Sequence, residues 1–311
     1  MGNQAPEPLA IAAQAGPRLI NNPWSDEAAA AIAEAAANNA DVLLIGTGLT
    51  MVDAVLSLDA AGHQGRIVAL SRRGQIPRSH ADFAAAPIGL SDVPHGDLLS
   101  LWRWLRRLSG QVGWRAAVDA LRPHGQSLWQ GLPVGQQRRF LRHARPWWDV
   151  HRHRIAPQVA RQVADRVAAG RLEIVAGRIA AVRGTAEGIE VAIRHRRNAR
   201  SSPGSAESPN SALGHFSRFA YALNCTGPLG AIGRTTDALL RGLLERGAVR
   251  ADAHGMGIAV DERSRAIGAD GLWALGPLTK GRFWEIVAVP DIRVQAADVA
   301  DDIAGAFIAG R

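Results

Sequence analysis

Gly46 and Gly48 close the run Asp41-Val-Leu-Leu-Ile-Gly-Thr-Gly-Leu-Thr-Met-Val-Asp53, and their spacing is what a phosphate-binding turn requires. A glycine at 46 lets the chain reverse after an apolar run. A glycine at 48 leaves no side chain between the backbone and an approaching pyrophosphate. Leu49, Val52, Val55, Leu56 and Leu58 then share roughly one helical face. The turn therefore opens a helix whose free N–H groups and positive dipole end point at the anion. Gly46, Thr47, Gly48, Leu49 and Thr50 are the candidate contacts. The third glycine of the usual fingerprint would fall at position 51, which is Met51. A tight turn in an ordinary strand–helix–strand unit uses the same residues, so the surroundings decide.

Those surroundings are Gly62-His63-Gln64-Gly65, which closes the helix, and Arg66 to Ser71, a second apolar run. Together they make one strand–helix–strand unit. The end of the second strand is where a carboxylate would hold ribose hydroxyls. Here it reads Ser71-Arg72-Arg73-Gly74. Two guanidiniums suit bidentate contact with a 2′-phosphate. The expected nucleotide is NADP(H), with Ser71, Arg72 and Arg73 as further contacts; the plainer reading is two solvated arginines in an Arg-rich chain.

Composition narrows the rest. The 311 residues suffice for one large or two modest domains. The net charge of +8 comes almost wholly from arginine, since Lys280 is the only lysine. A basic surface attracts anionic ligands, but no recognised nucleic-acid motif accompanies the charge, so no nucleic-acid partner is expected. Cys225 is the only cysteine, which excludes an internal disulfide and dithiol–disulfide chemistry and points to a reducing, cytoplasmic compartment. No apolar run reaches the ~18 residues of a spanning helix, so no membrane partner is expected either. The first residues lack a basic signal region.

Stepping along the chain, residues 1–24 read as an irregular approach, and Ser25 caps a helix running to Ala37. The first strand follows at 41–45. After Gly74 comes a long loop, 75–96, and then five helices: around 98–108, 114–121, 126–132, 136–144 and 155–168. Residues 95–168 are expected to form a helical insertion. Residues 172–176, 178–183 and 188–194 read as three short strands punctuated by Gly177 and Gly184, an antiparallel meander and not a strand–helix–strand unit. Residues 195–215 are low in complexity and read as a flexible loop. A strand runs from Phe219 into Cys225-Thr226-Gly227-Pro228; a helix covers Asp237 to Gly247; short strands cover 257–261 and 272–276; the last helix is Asp291 to Ala309.

The run Arg145-Pro-Trp-Trp-Asp-Val-His-Arg-His-Arg154 concentrates His151, His153 and Asp149 near His143. A strand would put the rings of His-x-His on one face. No second His or acidic cluster completes a metal set, and the arginines of the run repel a dication. The expectation is a half-buried helix junction with no metal, or else groups that neutralise a phosphate or line a substrate pocket.

Three motifs carry a family resemblance: Gly46-x-Gly48 with Arg72-Arg73; the strand ending Cys225-Thr226-Gly227-Pro228; and the strand ending Leu275-Gly276-Pro277. Over residues 15–305 the chain resembles the flavoproteins with two dinucleotide-binding domains, and most of all the bacterial FAD/NAD(P)-binding oxidoreductase-like proteins. The runs Gly46 to Asp53, Arg145 to Arg154 and Gly276 to Ile286 look like that group. The resemblance implies an α/β fold: a Rossmann-like NAD(P)-binding domain with a helical insertion and an antiparallel β meander, plus a partial flavin-side domain. The implied division is 1–40 as linker or flavin-domain remnant, 41–225 as NAD(P)-binding domain with insertion 95–168, and 226–311 as the C-terminal part of the FAD domain. The implied cofactors are NADP(H) and FAD. Thr226 and Gly227 are implied where the chain returns to the flavin domain. Gly276, Pro277, Leu278 and Trp284 are implied at the final flavin-contacting turn, with Pro277 where an aspartate is usual.

Such proteins begin with their own glycine-rich nucleotide unit. None precedes residue 41 here, so the chain resembles the C-terminal two-thirds of such a protein. The function implied is a flavin-linked NADP(H)-dependent oxidoreductase acting on a small molecule, with no catalytic acid or base named. Glu285 and Asp291 stand near the flavin turn, with loop and cap roles equally open. The alternative is a non-catalytic NADP(H)-binding module, or one that needs a separate flavin-domain chain. A homo-oligomer is the other expected assembly.

Overall fold

A computed structural model describes residues 5–195, 216–228 and 230–309. In chain order the described elements are α1 (Ala12–Ala15), β1 (Leu19–Ile20), α2 (Asp26–Ala37), β2 (Val42–Ile45), α3 (Leu49–Ala60) and β3 (Ile67–Ser71). Then come α4 (Leu98–Val112), α5 (Trp114–Leu121), α6 (Gly125–Gly131), α7 (Val134–Arg139), a π-helical turn Phe140–Ala144, α8 (Arg145–Arg152) and α9 (Pro157–Ala168). The rest is β4 (Leu172–Thr185), β5 (Gly188–His195), β6 (Phe216–Phe219), β7 (Tyr221–Asn224), α10 (Ala238–Glu245) and α11 (Val289–Ala309). Apart from His195, the loop expected at 195–215 lies outside the described residues.

The chain divides into two compact units. Unit 1 is Met1–Ala81 with Trp147–Pro228; unit 2 is Asp82–Pro146 with Leu229–Arg311. The division departs from the expected one. Ile20 of β1 and Ala28, Ala31 and Ala35 of α2 share a core with Val42 and Leu44, so residues 1–40 are not a mere linker. The helical stretch 95–168 is shared out, with α4 to α7 in unit 2 and α9 in unit 1.

Unit 1 is built on a seven-stranded sheet of order β1-β7-β2-β3-β4-β5-β6. β1, β7, β2, β3 and the first part of β4 are parallel. A parallel sheet covered on both faces needs apolar residues at every position, not at alternate ones. Val42-Leu43-Leu44-Ile45 obeys this: Val42 and Leu44 enter one core with Ala28, Val55 and Leu58, while Leu43 and Ile45 enter another with Val175, Ile189 and Phe219. The helix-side core is sealed by a charged contact. Arg166 of α9 donates to the His63 carbonyl at 2.7 Å and pairs with Asp59 of α3.

The antiparallel part exists, but its first member was misread. Residues 172–185 form one strand, β4, which pairs parallel with β3 from Leu172 to Ala176 and antiparallel with β5 from Gly177 to Thr185. Gly177 is therefore the point where the partner changes, not a break. A side chain there would press on the Arg194 carbonyl at 2.9 Å. Because β3 and β4 run parallel, the long connection between them is a crossover, which the meander reading had excluded.

Unit 2 contains α4 to α7, α10, α11 and irregular segments; Leu240 of α10 shares one core there with Ile232, Val249, Ile258, Val260, Ala266 and Ala274. The strands expected at 257–261 and 272–276 are only isolated bridges: Ala251 with Ile258, Val260 with Ala266, and Arg265 with Trp273. Ser264, at φ +63°, turns the chain too sharply for a ladder to extend. The C-terminal helix is fastened by Asp302, which accepts from Arg265 Nε at 2.6 Å, Arg265 Nη2 at 2.7 Å, Arg263 at 3.1 Å and Trp273 Nε1 at 2.8 Å. These bonds hold its carboxyl well below the usual carboxylate range, Arg265 contributing most.

Candidate functional site

The C-terminal ends of the parallel strands of unit 1 bring three of the sequence motifs together. Ile45 is in register with Leu70 on one side and Asn224 on the other. The residues that follow, Gly46 to Gly48, Ser71 to Gly74 and Cys225 to Gly227, therefore share one sheet edge. From β2 the chain steps one way to β3 and β4, while β7 and β1 lie on the other side. That is a topological switch point, where open α/β sheets leave a crevice at the strand ends.

The two glycines of the turn answer to different demands. Gly46 sits at φ +123°, and a Cβ there would overlap the Cys225 carbonyl. The fold itself requires glycine at 46. Gly48 has φ −87°, a value open to any residue, and a Cβ there would meet nothing within 4 Å. It is exposed and caps α3 without a side-chain bond, so no cap side chain takes up the first N–H groups of α3, on Leu49 and Thr50. Thr50 is nearly buried and Leu49 is 43% exposed.

Thr47, between the glycines, is buried and points inward. Its Oγ1 lies 2.8 Å from Ser71 Oγ and within hydrogen-bond reach of the Gln75 carbonyl. Ser71 Oγ in turn accepts from the Gly74 N–H at 3.0 Å. A hydroxyl has one proton, and the Gln75 carbonyl can only accept. The set closes when Thr47 donates to Gln75 and Ser71 donates to Thr47. Both hydroxyls are thus engaged inside the protein; of the two arginines of this loop, Arg72 is exposed and Arg73 half-buried.

At the end of β7, Asn224 is fully buried and donates to the Glu7 carbonyl at 3.0 Å. Its Oδ1 accepts from the Thr226 hydroxyl at 2.7 Å and the Thr226 N–H at 3.3 Å. This bends the chain into Gly227, at φ +91°. The Cys225 thiol is buried, and burial, reinforced by the Asp53 charge, pushes it up to about 12. It is a packed thiol, not a nucleophile.

Gly276, Pro277, Leu278 and Trp284 belong to unit 2. Gly276 opens a 3-10 turn, Gly276–Thr279, at φ +60°. Its N–H donates to Gln295 Oε1 at 2.7 Å, and Gln295 Nε2 donates to Thr279 Oγ1 at 2.9 Å and Ser264 Oγ at 3.0 Å. Thr279 donates back to the Gly276 carbonyl at 2.9 Å. Gly276 therefore has no N–H left for a ligand, and Pro277 has none to give. The Leu278 carbonyl accepts from the Ile258 N–H at 2.7 Å. On the same turn Lys280 is pushed down, first by burial and then by the charge of Arg145.

The Trp284 ring stacks on Trp129 at 4.8 Å, meets Phe140 edge-on at 5.3 Å and lies 5.8 Å from the Arg145 guanidinium. Trp129 Nε1 donates to the Gly281 carbonyl at 2.9 Å, and Gln137 Nε2 donates to the Trp129 carbonyl at 2.8 Å. His254 Nε2 donates to Gln137 Oε1 at 2.8 Å, which leaves Nδ1 buried and bare, and burial pushes this histidine down. Beside this cluster lies a cavity of about 220 Å³, bounded by Trp129, Gln137, Asp252, Val260, Gly281 and Arg282.

The sequence reading missed Gln295, Trp129, Gln137 and His254. Each lies far along the chain from the turn it supports, and no spacing rule links them to it. Of the His-rich run, Arg145 to Arg152 form α8, with Trp148 and Val150 buried, while His153 and Arg154 follow its end. Among the described residues no group of three His, Cys, Asp or Glu side chains gathers to hold a metal. Nor is any described helix long and apolar enough to cross a membrane.

The fold is similar to that of several solved hydroxylases and monooxygenases. Among solved structures, the chain is similar to the reduced form of an ornithine hydroxylase from Pseudomonas aeruginosa, at TM-score 0.57 and 13% identity. It is similar also to L-lysine 6-monooxygenase from Pseudomonas syringae, at 0.55 and 17%, and to a cadaverine monooxygenase from Erwinia amylovora bound to FAD, at 0.57 and 11%. These matches cover 97%, 98% and 98% of this chain but 60%, 61% and 59% of those chains, so it spans about three fifths of their length. No family model and no curated protein matches it.

Proposed function

We propose that unit 1 binds NADP(H) at the switch point and that the chain serves a flavin-linked oxidoreductase in which NADPH reduces FAD. The observation that carries this is Gly48. Among the described residues nothing occupies or forbids a side chain there, yet the position is glycine at the mouth of a helix N-terminus. An anion lying against that backbone accounts for it. The pyrophosphate would lie on Gly46, Gly48, Leu49 and Thr50, beside Thr226 and Gly227. Arg72 and Arg73 would hold the 2′-phosphate from the end of β3. Flavin supplies the hydride acceptor when bound. In unit 2, Pro277, Leu278 and Trp284 would contribute to its seat, without the Gly276 N–H. The small-molecule substrate and cytoplasmic setting belong to the same reading; so does assembly, as a homo-oligomer or with a flavin-domain chain.

A second reading has one observation in its favour. The turn expected to face flavin directs its N–H into Gln295, which suits a chain that binds NADP(H) and leaves the flavin to a partner chain.

The test is calorimetry with NADPH and NADH on the native chain and on Arg72→Ala/Arg73→Ala. A bidentate phosphate contact of about 1.5–3 kcal/mol predicts at least a tenfold loss for NADPH and little for NADH. Equal loss for both would sink the assignment of the arginines.

A further inference from the structure

We propose that Thr47 is a positioning residue that sets dinucleotide preference: its buried hydroxyl holds, through Ser71 and Gln75, the loop that carries Arg72 and Arg73. The inference rests on the nucleotide reading above and names the residue behind its specificity. Between the two turn glycines a threonine faces inward, only 5% exposed. Its oxygen ties the β2–α3 turn to two points of the next strand's loop, the Ser71 hydroxyl and the Gln75 carbonyl. Ser71 closes that loop on itself through the Gly74 N–H. Gly74 completes it at φ +59°, where an added Cβ would crowd Ala176 of β4.

The two arginines therefore leave a backbone fixed at both ends from one hydroxyl. A guanidinium meets a phosphate in a planar two-bond geometry, which tolerates little movement of the backbone that bears it. A dinucleotide without the 2′-phosphate makes no use of that geometry. Removing the Thr47 hydroxyl leaves the Gln75 carbonyl and the Ser71 hydroxyl each one partner short and frees the loop. The loss falls on the phosphorylated nucleotide.

The experiment measures NADPH and NADH dissociation constants by calorimetry for native protein, Thr47→Val and Thr47→Ser. Valine keeps the shape of threonine without the hydroxyl; serine keeps the hydroxyl. The NADPH-over-NADH ratio is expected to fall about tenfold in Thr47→Val, the effect of one lost hydrogen bond, and to stay within about twofold of native in Thr47→Ser. Ser71→Ala breaks the same link from the other side and is expected to lower the ratio likewise, which keeps the test open should the valine variant fold poorly. An unchanged ratio in both Thr47→Val and Ser71→Ala, or equal loss of both nucleotides, overturns the proposal. The Arg72→Ala/Arg73→Ala variant run alongside separates the two failures. If it lowers the ratio while the Thr47 and Ser71 variants do not, only the positioning role is lost. If it too leaves the ratio unchanged, the arginines do not read the phosphate and both fall.

Discussion

Gly46 and Gly48 carry different expectations from their spacing, and the fold shows what packs behind each. The first is required by its φ and by the Cys225 carbonyl; the second is required by nothing among the described residues. Sequence spacing pointed to Gly46 for the turn and Gly48 for the ligand side; what packs behind Gly46, the Cys225 carbonyl, was not legible in it. Cys225 is the converse case. Its count alone excluded a disulfide, and its burial adds that the thiol is sealed in the core. Folding raises the thiol to about 12, so the native state holds the proton more tightly than the unfolded chain. The stabilisation is intact below the ordinary thiol range and is lost as pH climbs through it towards about 12. We expect native Cys225 to resist iodoacetamide at pH 8 and to react once unfolded. We also expect Cys225→Ala to flatten the alkaline limb of unfolding stability. Rapid alkylation of the folded protein would show that the thiol is not sealed.

Elements with long apolar periodicity were legible: α2, α3, α9, α11, β2 and β3 appear near their expected bounds. Two kinds were not. β1 is two residues long after Pro17, too short for any pattern, and exists because it pairs with β7. β4 was split in two because Gly177 looked like punctuation, whereas pairing with β3 and then β5 carries the strand through it. Gln295 shows the same limit for side chains. Nothing in α11 marks it, yet it satisfies Gly276, Thr279 and Ser264 at once. Gln295→Leu takes one partner from each of those three buried groups, the Gly276 N–H among them, and should destabilise by about 2–4 kcal/mol in denaturant titration. Gln295→Glu, which keeps the acceptor, should lose less. Equal stability of Gln295→Leu and native protein would show that the turn does not depend on this bond.

At the scale of the molecule, the sequence conveyed an α/β chain with a nucleotide turn, and the sheet order adds why the turn lies where a ligand can reach it. The strands diverge from β2, and the glycine turn, the arginine loop and the Thr226–Gly227 bend meet at that divergence. The partition into units was not legible, because it depends on which helices pack on which core: α9 on the sheet, α4 to α7 elsewhere. The central claim is that an anionic dinucleotide lies on the Gly48 backbone, and the most direct test is an NADPH titration of native protein and Gly48→Val by calorimetry. The new side chain has open space and an allowed φ, so the circular dichroism spectrum should stay native, with at most about 1 kcal/mol lost at the helix cap. The account predicts that native protein binds NADPH and that Gly48→Val, though folded, gives no binding heat. A folded Gly48→Val that binds NADPH as tightly as native protein would contradict it.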